Sequence, residues 1–200
     1  MSRAGSVTGC VLAGGEGRRL GGVDKGLVAL AGRPLVEHCL QRLRPQVGAL
    51  LISANRNLAT YAAFGLPVFD DARADHAGPL AGCLGALRRA TTRHVVTAAC
   101  DSPFLPRDLV ARLLDALTTA GAEIAVVSTN GRLQPVFALY AVSVADSLAD
   151  YLDGGGRKVD TWLRRHALVE VDFSDAAGAF MNINTPEELA SASQRLADGS

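Results

Sequence analysis

Val11-Leu-Ala-Gly-Gly-Glu-Gly-Arg-Arg-Leu-Gly-Gly-Val-Asp-Lys25 is the stretch that decides the fold. The apolar run 7–13 leads into it and reads as a buried strand. Gly14, Gly15, Gly17, Gly21 and Gly22 follow, interleaved with Arg18, Arg19 and Lys25. Where side-chain bulk is small, backbone N–H groups approach a phosphate closely, and nearby cations neutralise its charge. A strand feeding such a loop is the phosphate-binding start of an open α/β sheet, which takes ligands at the carboxyl ends of its strands. Two better-known Gly-rich motifs do not fit. No glycine is followed directly by lysine and a hydroxyl residue, as a P-loop requires. Gly15-Glu-Gly17-Arg-Arg-Leu20 lacks the third glycine of the dinucleotide fingerprint, and no acidic residue closes the next strand.

Outward from the loop, strand-like and helix-like patterns alternate. Strands are expected over 7–13, 49–54, 67–70, 94–100, 123–129, 134–142 and 168–173. Helices are expected over 35–45, 80–90, 106–120, 144–152 and 157–166, with a last one from Pro186. In 106–120, Leu109, Leu113, Leu114 and Leu117 share one face. Asn130-Gly131 signals a tight hairpin turn. This order predicts an α/β fold, a single Rossmann-like three-layer domain over 1–200 with a mostly parallel sheet and helices on both faces. Two hundred residues suit one such domain.

Composition excludes several classes. The 20 basic residues balance 20 acidic ones, which argues against a general nucleic-acid or membrane-surface binder. No signal pattern opens the chain and no run is long and apolar enough to span a bilayer, so a cytoplasmic protein is expected. Cys10, Cys39, Cys83 and Cys100 are widely spaced and read as reduced core cysteines. His38, His76, His94 and His166 show no metal-ligand spacing, and no Gly-x-Ser-x-Gly elbow anchors hydrolase chemistry.

The candidate chemistry gathers at strand ends. Asp101 emerges after the buried run 94–100, in a turn stiffened by Pro103 and Pro106. A carboxylate there, facing the glycine loop, is a candidate Mg²⁺ ligand, because magnesium takes one or two carboxylates plus phosphates and water. Arg19 and Lys25 are candidate phosphate cations. Asp24 either positions Lys25 or is simply exposed. Thr185 and Glu188 form a capping box around Pro186, which leaves Asn182 and Asn184 without a structural explanation beyond that of turn residues. The loop Asp153-Gly-Gly-Gly-Arg-Lys158 is either a plain connection or a phosphate contact through Arg157 and Lys158.

The glycine loop, Leu12-Ala-Gly-Gly-Glu-Gly-Arg-Arg19-Leu-Gly-Gly-Val-Asp-Lys25-Gly26, resembles the signature of the molybdenum cofactor guanylyltransferases. So do Asn55-Arg56, Asp70-Asp71, Gly78-Pro-Leu-Ala-Gly82, Cys100-Asp-Ser-Pro103 and Asn182-Ile-Asn-Thr-Pro-Glu-Glu-Leu189 in the same order. The resemblance implies transfer of GMP from GTP to molybdenum-bearing molybdopterin, with Mg²⁺ as cofactor and pyrophosphate as the second product. It assigns catalysis to Asp101, Lys25 and Arg19, and the metal to Asp101. Nucleotide binding falls to Leu12, Ala13, Gly14, Gly15, Lys25, Ser53, Asp71, Gly82 and Asp101. Asn182 and Asn184, with Arg157 and Lys158, fall on the pterin side. Ser53 stands where the family often carries asparagine, which leaves Asn55 as a substitute contact. Residues 7–129 would bind the nucleotide and 130–200 would complete the pterin cleft. Partners implied are GTP, molybdopterin, other proteins of molybdenum-cofactor biosynthesis and molybdoenzyme chaperones, but no nucleic acid and no membrane, for a monomer. Guanine versus cytosine stays open at this level, as do a sugar-phosphate nucleotidyltransferase and a non-catalytic delivery module.

Overall fold

The computed structural model describes residues 3–13, 15–17, 22–70 and 78–198. Strand β1, Val7–Leu12, opens the chain. Two small hairpins follow: β2, Glu16–Gly17, pairs with β3, Val23–Asp24, and β4, Ala29–Leu30, pairs with β5, Arg33–Pro34. Helix α1 is Leu35–Leu43, β6 is Ala49–Ser53, α2 is Leu58–Ala62 and β7 is Val68–Phe69. Then come α3, Pro79–Arg89, β8, His94–Ala99, and α4, Leu109–Ala120. The chain closes with β9, Ile124–Thr129, β10, Arg132–Ala141, α5, Ala145–Asp153, α6, Val159–Leu163, β11, Leu168–Asp172, and α7, Pro186–Ala197.

Among the described residues the main sheet has the order β11-β9-β10-β8-β1-β6-β7. It is parallel except for β10, which runs antiparallel to both neighbours. The predicted Asn130-Gly131 turn joins β9 to β10, and both residues have the positive φ of a type I′ hairpin. The expected three layers are present. Period-two alternation divides each strand: Val11, Ile52, Val96 and Val127 face a core shared with α1 and α4, while Cys10, Leu51, Val95 and Val126 face α3, α5 and α6. The predicted leucine face of α4 is buried throughout. Trp162 of α6 is fully buried against Tyr140 and His166.

The small elements between β1 and α1, and α2, carry no period long enough to read in advance. Two-residue strands and a five-residue helix offer no repeat, so tertiary contacts decide them. The 157–166 helix shortens to α6 because Gly156 precedes it and Arg164 to His166 turn back toward β11. The helix expected from 106 starts at Leu109, after the turn containing Pro106.

Candidate functional site

From β1 the chain steps one way to β6 and β7 and the other way to β8, so the connections after β1 and β8 diverge and leave a crevice. Leu12 pairs with Ser53 on one side and with Ala99 on the other. Ala13 N–H donates to Ser53 O at 2.7 Å, and Cys100 N–H to Leu12 O at 3.1 Å. These two bonds carry the strand register past the strand ends, into the loops that bear Lys25 and Asp101.

Asp101 is buried, and its Oδ2 accepts from Lys25 Nζ at 3.1 Å. The same ammonium donates to Asn184 Oδ1. Residues separated by 76 and 159 positions thus meet at one point. The C-terminal segment reaches it because Ile183 N–H donates to Asp101 O at 3.0 Å, while the buried Ser102 hydroxyl donates to Asn182 Oδ1 at 2.8 Å. Asn184 is held in turn: its N–H donates to Glu188 Oε2 at 2.6 Å and its Nδ2 to Asn182 O at 3.1 Å. The capping box at α7 is therefore more than a helix start. The Glu188 carboxylate that closes it, with Thr185 Oγ1 accepting from Glu188 N–H, also fixes the backbone of Asn184.

Beneath this cluster the Cys39 thiol lies against the carbonyls of Ala99, Cys100 and Ser102 at 3.1–3.3 Å. Burial raises its pKa, so it stays a protonated donor that braces the turn around Asp101. Burial likewise pushes Cys10 up to about 12. All four cysteines are free and buried, as expected of core residues.

The other predicted residues fall out as follows. Leu12 and Ala13 end β1 at the crevice, half-buried, and Gly15 lies exposed beyond them. Gly82, in the first turn of α3, is buried so closely that an added Cβ would sit 2.7 Å from Ser53 Oγ and 2.9 Å from Leu12 Cδ2. Three of the predicted nucleotide residues are thus in mutual contact. Ser53 itself is buried, and its hydroxyl faces Gly82. Pro79 opens α3 as read from sequence, preceded by Gly78 at φ +66°. Gly14, Arg19 and Asp71 lie outside the described residues. Asp70 is exposed just past β7.

The Arg157 guanidinium donates to the carbonyls of Leu152 and Gly156, and Lys158 O accepts from Tyr151 OH. Val159 next to them packs in the α3–α5 core and shares a small cavity with Leu12 and Pro79. Ile183 belongs to the opposite core. The neighbours of the two pairs, Ile183 and Val159, thus pack on opposite faces of the sheet.

Of the two sequence readings of Asp24, exposure does not hold; what sequence reading missed is the set of partners around it. Asp24 is buried, and its carboxylate accepts from Gly26 N–H, Asn57 Nδ2 and Tyr61 OH. Its place beside Lys25 was the available signal, but Tyr61 belongs to the short helix that no periodicity announces.

A divalent cation suits the Asp101 position. Its carboxylate is a hard oxygen donor that already faces a positive charge, at the mouth of a crevice whose other donors are backbone groups and an amide oxygen. Among the described residues no group of three or more His, Cys, Asp or Glu side chains could hold a metal. A cation at Asp101 would complete its shell with phosphate oxygens and water.

Comparisons with known proteins point to one family. The model of the MobA-like NTP transferase domain matches residues 9–169. The molybdenum cofactor guanylyltransferase of Cupriavidus pinatubonensis is 57% identical over 188 residues, covering 92% of this chain and 94% of that one. The enzyme of the same name from Ralstonia nicotianae is 54% identical over 198 residues, covering 94% and 97%. Among solved structures, molybdopterin-guanine dinucleotide biosynthesis protein A from Archaeoglobus fulgidus superposes with a TM-score of 0.79 at 28% identity, covering 96% of this chain and 99% of that one.

Proposed function

This chain belongs to the MobA-like NTP transferase family, and from that premise we propose that it transfers GMP from GTP to molybdenum-bearing molybdopterin. The terminal phosphate of the pterin attacks the α-phosphorus of GTP. The bond from that phosphorus to the β-phosphate oxygen breaks, pyrophosphate leaves, and the guanine dinucleotide form of the cofactor results. The observation that carries this reading is the meeting of Lys25, Asp101 and Asn184 at the switch point of the sheet.

The attacking group is already an anion, so no side chain need remove a proton. The work left to the protein is alignment and charge neutralisation. Lys25 turns its ammonium from Asp101 to the triphosphate, and Arg19 in the glycine loop adds a second cation. Asp101 would hold Mg²⁺, which when bound would supply Lewis-acid neutralisation of the phosphates. Gly14, Gly15 and Ala13 offer backbone N–H groups, and the Leu12–Ser53–Gly82 contact forms the wall against which the nucleoside lies. Asp71 contacts the ribose or base. Asn182 and Asn184 orient the pterin phosphate at the far lip, and Arg157 and Lys158 approach from the α3 layer. Residues 7–129 serve the nucleotide and 130–200 complete the pterin side. On this reading the enzyme acts in the cytoplasm as a monomer, meeting other proteins of molybdenum-cofactor biosynthesis and molybdoenzyme chaperones. No helix among the described residues is long and apolar enough to cross a membrane.

The test pairs magnesium-dependent stabilisation by GTP, CTP, UTP and ATP with transfer of α-labelled GTP to molybdopterin, in wild type and Asp101→Ala. GTP should stabilise most, and the substitution should slow transfer at least ~10²-fold, as loss of one electrostatic stabiliser does. Preference for CTP would make the enzyme a cytidylyltransferase on the same scaffold. Undiminished magnesium-dependent turnover in Asp101→Ala would remove the assigned role of Asp101.

A further inference from the structure

Asp24 lies beside Lys25 but points the other way, into the protein. Its side chain is only 3% exposed. Oδ1 accepts from Tyr61 OH at 2.6 Å and from Gly26 N–H at 3.2 Å; Oδ2 accepts from Asn57 Nδ2 at 3.0 Å. Arg56 Nε stands 3.8 Å from Oδ2. Its Nη2 donates to Gly15 O at 3.1 Å, the carbonyl that also accepts from Lys25 N–H at 3.4 Å. Among the described residues, every group aimed at Asp24 is a donor or a cation. Only an acceptor-only side chain with two oxygens satisfies them all, and an asparagine would set its own N–H₂ against a donor.

These contacts bracket Lys25. Asp24 binds the N–H of Gly26, on the far side of the lysine, so the Lys25 backbone is clamped within a closed ring. Gly26 is pressed against the same cage: a Cβ there would lie 2.4 Å from Tyr61 Oη and 3.3 Å from Cys100 Sγ. The cage ties the glycine loop at Gly15 to the start of α2, where Asn57 adopts positive φ.

We propose that Asp24, with Arg56 and Tyr61, is the positioning device that sets Lys25 for phosphate binding and lines it up with Asp101. This rests on the role assigned to Lys25 above. It states how one side chain in the crevice is aimed from behind, by a buried carboxylate that joins two loops.

A double-mutant cycle tests it. Asp24→Asn and Lys25→Met are made singly and together, and transfer of GMP and KM for Mg·GTP are measured. Asp24→Asn should lower kcat/KM about 10–100-fold, the span of a lost hydrogen bond to a charged group. In the Lys25→Met background it should lower it less than about threefold, because the group it positions is gone. Full additivity, with each single variant folded and the wild type active, would overturn the proposal. Tyr61→Phe keeps the carboxylate and removes one donor, so it serves if Asp24→Asn fails to fold. It should show the same non-additivity with Lys25→Met at smaller amplitude, and additivity there would count equally against the cage. A wild type that neither binds nor transfers GMP would instead defeat the assignment of function, a different outcome from additivity in an active enzyme.

Discussion

Replacing Lys25 with methionine should make the nucleotide-free protein bind a divalent cation more tightly. Lys25 Nζ lies 3.1 Å from Asp101 Oδ2, with the two side chains 18% and 9% exposed. At the effective dielectric of about 20 suited to pairs near a protein surface, two unit charges at that distance attract by about 5 kcal/mol. Desolvation and side-chain ordering offset most of it, leaving about 1–2 kcal/mol for a partly exposed pair. A metal that takes Asp101 must first give up that sum, because ammonium and metal compete for one carboxylate. Methionine keeps the stem length and apolar packing but removes the competitor. Mn²⁺ titration followed by the electron-spin resonance of free ion should therefore show affinity rising about 5–30-fold in Lys25→Met. Asp101→Asn should abolish the gain. Unchanged or weaker Mn²⁺ binding in Lys25→Met would refute the claim that the ion pair guards the metal position. Transfer activity is expected to move the other way, since the same lysine serves the triphosphate.

Two further outcomes follow from packing and burial. Gly82→Ala would place a methyl 2.7 Å from Ser53 Oγ and 2.9 Å from Leu12 Cδ2; overpacking of this kind costs about 1–3 kcal/mol. For a chain of this size calorimetry should record a Tm lower by about 2–12 °C, and GTP-induced stabilisation should shrink because Leu12 is displaced with it. His94 has a buried Nδ1 with no hydrogen-bond partner among the described residues, and burial, then Arg93, holds its pKa below the ordinary range near 6.5. The unfolded chain thus takes up the proton first, so stability falls as pH drops through about 6.5 and levels off below the lowered native value. Tm measured against pH should be flatter across that window in His94→Asn, and parallel curves would remove His94 from the account.

Much of the architecture was legible beforehand because it repeats. Apolar runs at strand length and leucines at helical spacing recur often enough to mark the main strands and helices within a few residues. The Asn130-Gly131 hairpin and the Thr185–Glu188 box are local motifs whose geometry is complete within a few residues. The glycine loop and the aspartate after the fourth expected strand marked the two sides of the crevice for the same reason. The cage around Asp24 was not legible. Its members come from the second hairpin strand, a positive-φ asparagine and a five-residue helix, and a buried carboxylate looks the same in sequence as an exposed one.

The sequence by itself thus determined the layered α/β class, the place of the glycine loop after β1 and the carboxylate at the end of β8, because period and local motif carry those. Only the tertiary structure decided that Asn184 reaches Lys25 across 159 positions, that Ile183 and Val159 pack on opposite faces of the sheet, and that Asp24 faces inward. Those facts depend on strand order and on which loop crosses which strand end. Neither leaves a periodic trace in the chain, and both are chosen by burial summed over the whole sheet.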